Sequence, residues 1–124
     1  MNRKRRTRGW GMVELESGLP TSIRALQVSG DDIRARRLAA DGCEILFVTA
    51  RAGAELPSHD HTTDNATVII AGGMVLVTDS GERKVGPGQW YQTRAGEQHA
   101  LRFEADTLQI ELRFDVPGTE APGK

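Results

Sequence analysis

Short runs of β-branched and alternating residues set the rhythm of this chain. CEILFVTA (43–50), ATVIIA (66–71), MVLVT (74–78) and LQIELRF (108–114) each have strand length and strand composition. QWYQT (89–93) and HALRF (99–103) add two more. Turn residues punctuate the runs: Arg51-Ala52-Gly53, Asp79-Ser80-Gly81-Glu82, Gly86-Pro87-Gly88 and Ala95-Gly96. The second of these predicts a hairpin between MVLVT and the segment after it. Upstream, Ile23–Val28 reads as an edge strand. Ile33–Leu38 reads as a strand with one charged face and neither face well buried, and Gly30-Asp31-Asp32 forms the turn between them. Strands this short and this regularly spaced predict an all-β chain, an antiparallel sandwich or barrel rather than a parallel α/β sheet.

Length and composition agree. A chain of 124 residues makes one domain, and 14 glycines with only 5% aromatics fit many turns. Lys+Arg 16 against Asp+Glu 17 leaves a net charge of −1, which gives no electrostatic case for nucleic acid or an anionic membrane as partner. The basic start, MNRKRRTRGW, contains the pair Arg5-Arg6, but Glu14 and Glu16 arrive before any apolar export segment. Residues 1–11 therefore read as a mobile basic tail, 12–116 as the folded domain, and the Pro/Gly-rich 117–124 as a disordered end. The lone Cys43 excludes an internal disulfide and reads as a small core residue in a reducing compartment. The expected location is the cytoplasm.

Candidate chemistry gathers on three histidines. In an extended segment, residues i and i+2 share a face, so His59 and His61 of PSHDH project together while Ser58 and Asp60 turn away. His99 opens HALRF, where Leu101 and Phe103 share its face, so it points inward. A His-x-His pair places two imidazoles on one metal, with a third ligand required from a neighbouring strand. By the same parity Thr67, Ile69 and Ala71 face inward, met by Val75 and Val77. On QWYQT either Trp90 with Gln92 or Tyr91 with Thr93 looks in. Arg51, Arg94, Arg102 and Arg113 read as solvated charges.

The spacing around the histidines resembles the cupin superfamily. Gly53 is followed after five residues by His59, then His61, after three more Asn65, and after six more Gly72. Gly88 is followed after five residues by Arg94, then Ala95-Gly96, and after two more His99. These match the two cupin motifs over roughly residues 43–114, except that Asn65 stands where a glutamate ligand is common and Arg94 replaces a proline. The resemblance implies a double-stranded β-helix, or jelly-roll, barrel and a homodimer. It also implies a metal centre of His59, His61 and His99, with Asn65 as a weak fourth ligand or a hydrogen-bond donor behind them. Asp64 substitutes only if the loop shifts by one residue.

Three neutral imidazoles leave a divalent ion its charge and an open position, unlike a closed four-ligand structural site. Similarity to three-histidine cupins implies Fe(II) and dioxygenase-type chemistry on a small organic substrate. Zn(II), Ni(II), Mn(II) and Cu(II) suit the same donors. A Zn/Ni cyclase or isomerase and a non-catalytic binding or sensing module are the alternatives. With every histidine committed to metal, Tyr91 and Glu97 are the candidate proton-transfer residues.

Overall fold

A computed structural model describes residues 11–117. Helical backbone over residues 11–17 (α1) and a single turn at Thr21–Arg24 (α2) precede ten strands. These are β1 Val28–Gly30, β2 Ile33–Ala40, β3 Cys43–Ala50, β4 Glu55–His59, β5 Asp64–Ala71, β6 Met74–Thr78, β7 Gly81–Val85, β8 Trp90–Thr93, β9 His99–Phe103 and β10 Thr107–Phe114. One sheet has the order β1-β2-β3-β10-β5-β8 and the other β4-β9-β6-β7. Every pairing is antiparallel. Two facing antiparallel sheets with this crossed order make the jelly-roll barrel that the strand spacing and motifs imply. The hairpin at 79–82 forms as expected, with Thr78 opposite Gly81 and Asp79-Ser80 as its loop.

Alternation builds the interior in layers. Cross-strand partners point to the same side of a sheet, so the register defines rows. The row Ala35–Val48–Gln109–Ile69 is followed by Arg37–Leu46–Glu111–Thr67–Tyr91, and then by Glu44–Arg113–Asn65–Thr93. Opposite them lie His99, Leu101 and Phe103 of β9 and Met74 and Leu76 of β6. The core cluster of Ala50, Ile69, Met74, Leu76, Val85, Tyr91, Leu101 and Phe103 fills one end of the barrel. Polarity rises toward the other end, where the histidines stand.

Three sequence expectations are corrected. Ile23–Val28 is not an edge strand: the Pro20 carbonyl accepts from the amides of Ile23 and Arg24 and closes a helical turn, so the strand begins only at Val28. Met74 and Leu76, not Val75 and Val77, face inward, because Leu76 pairs with Leu101 while Val75 pairs with the outward Arg102. The outer side of β2 is covered rather than open, and Arg36 is only 7% exposed. The reason is Glu16, at the end of α1. Its Oε2 accepts from Arg34 Nε at 2.7 Å, Arg36 Nη1 at 3.2 Å and Thr49 Oγ1 at 3.0 Å. One carboxylate thus fastens the helix to the sheet.

The basic-tail reading of residues 1–11 and the disordered-end reading of 117–124 fall almost wholly outside the described residues. No described helix is long and apolar enough to cross a membrane.

Two stability predictions follow from these contacts. Burial alone would raise the Glu16 pKa, but the hydrogen bonds from Arg34, Thr49 and Arg36 outweigh it and the net shift is downward. A carboxyl depressed in the folded state stabilises at pH above its unfolded value and loses that contribution as pH falls through the folded one. Glu16→Gln should cost about 1–3 kcal/mol in urea unfolding at pH 7, and the gap to the unsubstituted protein should close as pH drops below about 4.5. Gly72 has φ +91°, and a Cβ there would collide with the Asp106 carbonyl and Thr107. Gly72→Ala should therefore destabilise by about 1–3 kcal/mol or more, while Gly53→Ala, at a positive φ with open space around it, should cost less.

Candidate metal centre

Two loops carry the histidines, and hydrogen bonds stitch them together. Gly96 N–H donates to the His61 carbonyl at 2.8 Å. Asp64 Oδ1 accepts from Ala95 N–H at 2.9 Å, and Ser58 Oγ donates to Gln98 Oε1 at 3.1 Å. Gly96 holds φ +82°, the left-handed conformation its turn requires. Glu97 Oε1 accepts from Arg94 N–H at 2.9 Å and closes the same turn.

His59 ends β4 in direct register with His99, after an irregularity that begins at Leu56. His61 lies two residues further on. The ring centroids of His59 are 4.3 Å from His99 and 4.8 Å from His61, and His61 lies 5.3 Å from His99. Their ligand nitrogens lie within 4.8 Å of one another, and among the described residues no carboxylate or thiol joins the group. An ion bonded at about 2.1 Å bridges donors no more than ~4 Å apart, so binding would draw the rings slightly together.

The donor chemistry fits such an ion. His59 Nδ1 lies 2.8 Å from the Pro57 carbonyl and His99 Nδ1 lies 3.0 Å from the Glu97 carbonyl. A carbonyl only accepts, so each Nδ1 carries a proton, and in the neutral tautomer this selects, Nε2 is the nitrogen left to ligate. His61 is held below its ordinary pKa, first by burial, then by the positive charge of Arg113, with Glu111 opposing. It is therefore neutral at pH 7 and able to ligate.

Around the trio lies a cavity of about 130 Å³. Leu46, Val48, Leu56, Leu101 and Phe103 form its apolar side, while Asn65, Thr67, Tyr91, Thr93, Gln109, Glu111, Arg37 and Arg113 supply polar groups. Asn65 faces in and Asp64 out, as alternation requires. Both polar atoms of the Asn65 amide are engaged: its Nδ2 donates to Glu111 at 3.1 Å and its Oδ1 accepts from Thr63 Oγ1 at 2.7 Å. That leaves it bracing Glu111 beside the histidines.

The two proton-transfer candidates fare differently. Tyr91 and Thr93 face inward, and Trp90 is exposed. Burial pushes the Tyr91 phenol far above its ordinary pKa, and Thr67 and Gln109 hydrogen-bond its hydroxyl. Tyr91 therefore keeps its proton and is not a base at neutral pH. Glu97 spends its carboxylate on the Arg94 amide and does not line the cavity.

Arg113 corrects the reading of the arginines: it lines the cavity and pairs with Glu111 at 3.0 Å. Arg102 behaves as expected, outward and paired with Glu82. Cys43 is half-buried at the start of β3 and takes no part in the trio. Glu111 and Arg37 are the site residues sequence reasoning missed. The signal for Glu111 was available in LQIELRF, where Gln109, Glu111 and Arg113 alternate with Leu108, Ile110 and Leu112. Assigning the apolar set to the outer face would have exposed it.

Comparison with known proteins agrees with this geometry. Residues 46–116 match the family pattern of the cupin domain. A solved RmlC-like cupin from Shewanella frigidimarina is 12% identical, with TM-score 0.67, over 76% of this chain and 87% of that one. KdgF from a Halomonas species is 18% identical, with TM-score 0.65, over 74% of this chain and 88% of its own. A conserved Streptococcus pyogenes protein of unknown function is also 18% identical, with TM-score 0.66, over 82% and 90%. At such identities these likenesses establish the fold alone. No curated protein matches the chain. With the family pattern spanning both histidine loops from His59 to His99, the chain belongs to the cupin family.

Proposed function

We propose that this cupin is a metal-dependent enzyme acting on a small organic molecule held in the barrel. One observation carries the reading: three imidazoles converge at a lined cavity with no fourth His, Cys, Asp or Glu donor beside them among the described residues. Such a set leaves coordination positions for a guest. A divalent ion bound there would supply a Lewis-acidic or redox-active centre. The chain's own residues do the rest. His59, His61 and His99 hold the ion, the apolar wall excludes water, and Tyr91 fixes a hydrogen-bond donor in the floor.

Fe(II) with dioxygenase-type chemistry is the primary reading, since the neutral three-nitrogen set suits a redox-active ion. A redox-neutral isomerase or cyclase using Zn(II), Ni(II) or Mn(II) is the second reading, and Glu111 favours it. Among the described residues Glu111 is the one carboxylate lining the cavity, braced by Asn65 and Arg113, and it can accept a proton from a substrate there. Cu(II) suits the donors as well. The lone Cys43 supports a reducing, cytoplasmic setting.

The assembly we propose is a homodimer through the outer face of the larger sheet. Ile110, Val68 and Trp90 form one outward row across β10, β5 and β8, with Ile70 beside it. Trp90 is 51% exposed and Ile70 47%. Such contiguous apolar surface is a common mark of an interaction site.

Metal analysis of the purified protein should find about one ion per chain, reduced at least tenfold in His59→Ala and His99→Ala variants that keep their strand circular dichroism. A folded protein that takes up no ion would contradict the metal centre. Dioxygen consumption with a panel of small organic compounds would support the oxygenase reading, and turnover without it the isomerase reading. A ligand-induced melting shift with no turnover would point to a binding module. Light scattering should give twice the mass of one chain, falling to one for an Ile70→Glu/Trp90→Glu variant.

A further inference from the structure

The rim of the cavity carries a paired guanidinium arrangement that the metal centre does not need. Arg37 on β2 and Arg113 on β10 both line the cavity, two strands apart, with Glu44 of β3 between them. Glu44 accepts from Arg37 Nη1 through Oε2 at 3.1 Å and lies 3.9 Å from Arg113 Nη1 through Oε1. Arg113 Nε donates to Glu111 Oε2 at 3.0 Å. Glu44 thus links the two arginines without itself lining the cavity.

Each guanidinium has donors to spare. Arginine offers five N–H bonds in a rigid fork, and the hydrogen bonds described use only Nη1 of Arg37 and Nε of Arg113. Neither of these hydrogen bonds draws on the Nη2 donors of the two arginines. Arg113 is only 21% exposed along its side chain, so its remaining donors are held in place and partly shielded from water. A shielded, pre-positioned fork binds carboxylate oxygens well.

Charge points the same way. Glu44 and Glu111 offset the charges of Arg37 and Arg113, and a divalent ion on three neutral imidazoles would add two positive charges to the cavity. An uncharged guest would leave that field uncompensated in a partly apolar cavity, at a cost in desolvation.

We infer that the substrate of this site is a small organic anion whose carboxylate is gripped by Arg113, with Arg37 as a second and more exposed contact. This deepens the enzymatic reading above and rests on it for the word substrate, while the anion site itself is a property of Arg37, Arg113 and the fold. Glu44 acts here as a positioning residue, holding both forks toward the opening.

The test uses the full-length protein and malonate, lactate and succinate as probes, each beside its uncharged amide. Isothermal titration is run on metal-loaded and on chelator-treated protein. At least one carboxylate should bind saturably, at least tenfold more tightly than its amide, and the preference should persist, weakened, without metal. Arg113→Met should lower that affinity tenfold or more with metal content unchanged. Arg113→Lys should fall in between, because it keeps the charge and loses the fork. If Arg113→Met fails to fold, Arg37→Met, at a more exposed position, should still weaken binding severalfold.

Equal binding of acids and amides, no carboxylate binding at all, or affinity untouched by both arginine variants would overturn the inference. A protein that binds no metal but still discriminates acid from amide would refute the metal centre and leave the anion site standing.

Discussion

The hydrogen bonds between the two histidine loops are the constraint on which the rest depends. His59 and His61 follow one strand and His99 begins another, and about 40 residues of chain separate them. Nothing local brings them together. The Gly96 amide on the His61 carbonyl, and Asp64 on the Ala95 amide, fix the loops edge to edge. The Pro57 and Glu97 carbonyls then set the tautomers of two of the three rings. Each of these bonds is modest in net energy. Their effect is geometric: they settle where the imidazoles meet before any ion arrives.

The same sheets that position the trio grade the cavity from apolar to charged. Most polar groups along the cavity satisfy one another, although Gln109 Oε1 is buried without a partner. Thr63, Asn65, Glu111, Arg113, Glu44 and Arg37 form one continuous chain of polar contacts across four strands and the loop before β5. In the proposed metal centre, Asn65 in place of the family's usual carboxylate ligand would remove a negative charge from beside the ion. Glu111 restores one nearby, held by that asparagine instead of ligating. Under the proposed function, the substitution would move that carboxylate from metal ligand to a braced group facing the guest.

Much of this was legible in the chain. Period-two patterning and turn residues gave the strands from Cys43 onward, and alternation alone placed His99, Leu101 and Phe103 inside and Asp64 outside. What could not be read depended on contacts between segments distant in sequence. Arg36 looks solvent-facing until Glu16, 20 residues earlier, is found lying over it. The helical turn at Thr21–Arg24 has no periodicity of its own and is closed by the Pro20 carbonyl. Val75 and Leu76 are equally apolar, and only pairing with β9 decides which of them faces in. Arg113 and Glu111 lay within reach of parity reasoning, but charge biased the reading toward solvent.

The central claim is that three imidazoles hold an ion and leave it open. X-ray absorption spectroscopy on the metal-loaded protein tests it most directly. The account predicts three imidazole nitrogens at about 2.0–2.2 Å, with the remaining shell made of exchangeable solvent oxygen. A shell closed by four protein donors, a sulfur neighbour, or fewer than three imidazoles would contradict it.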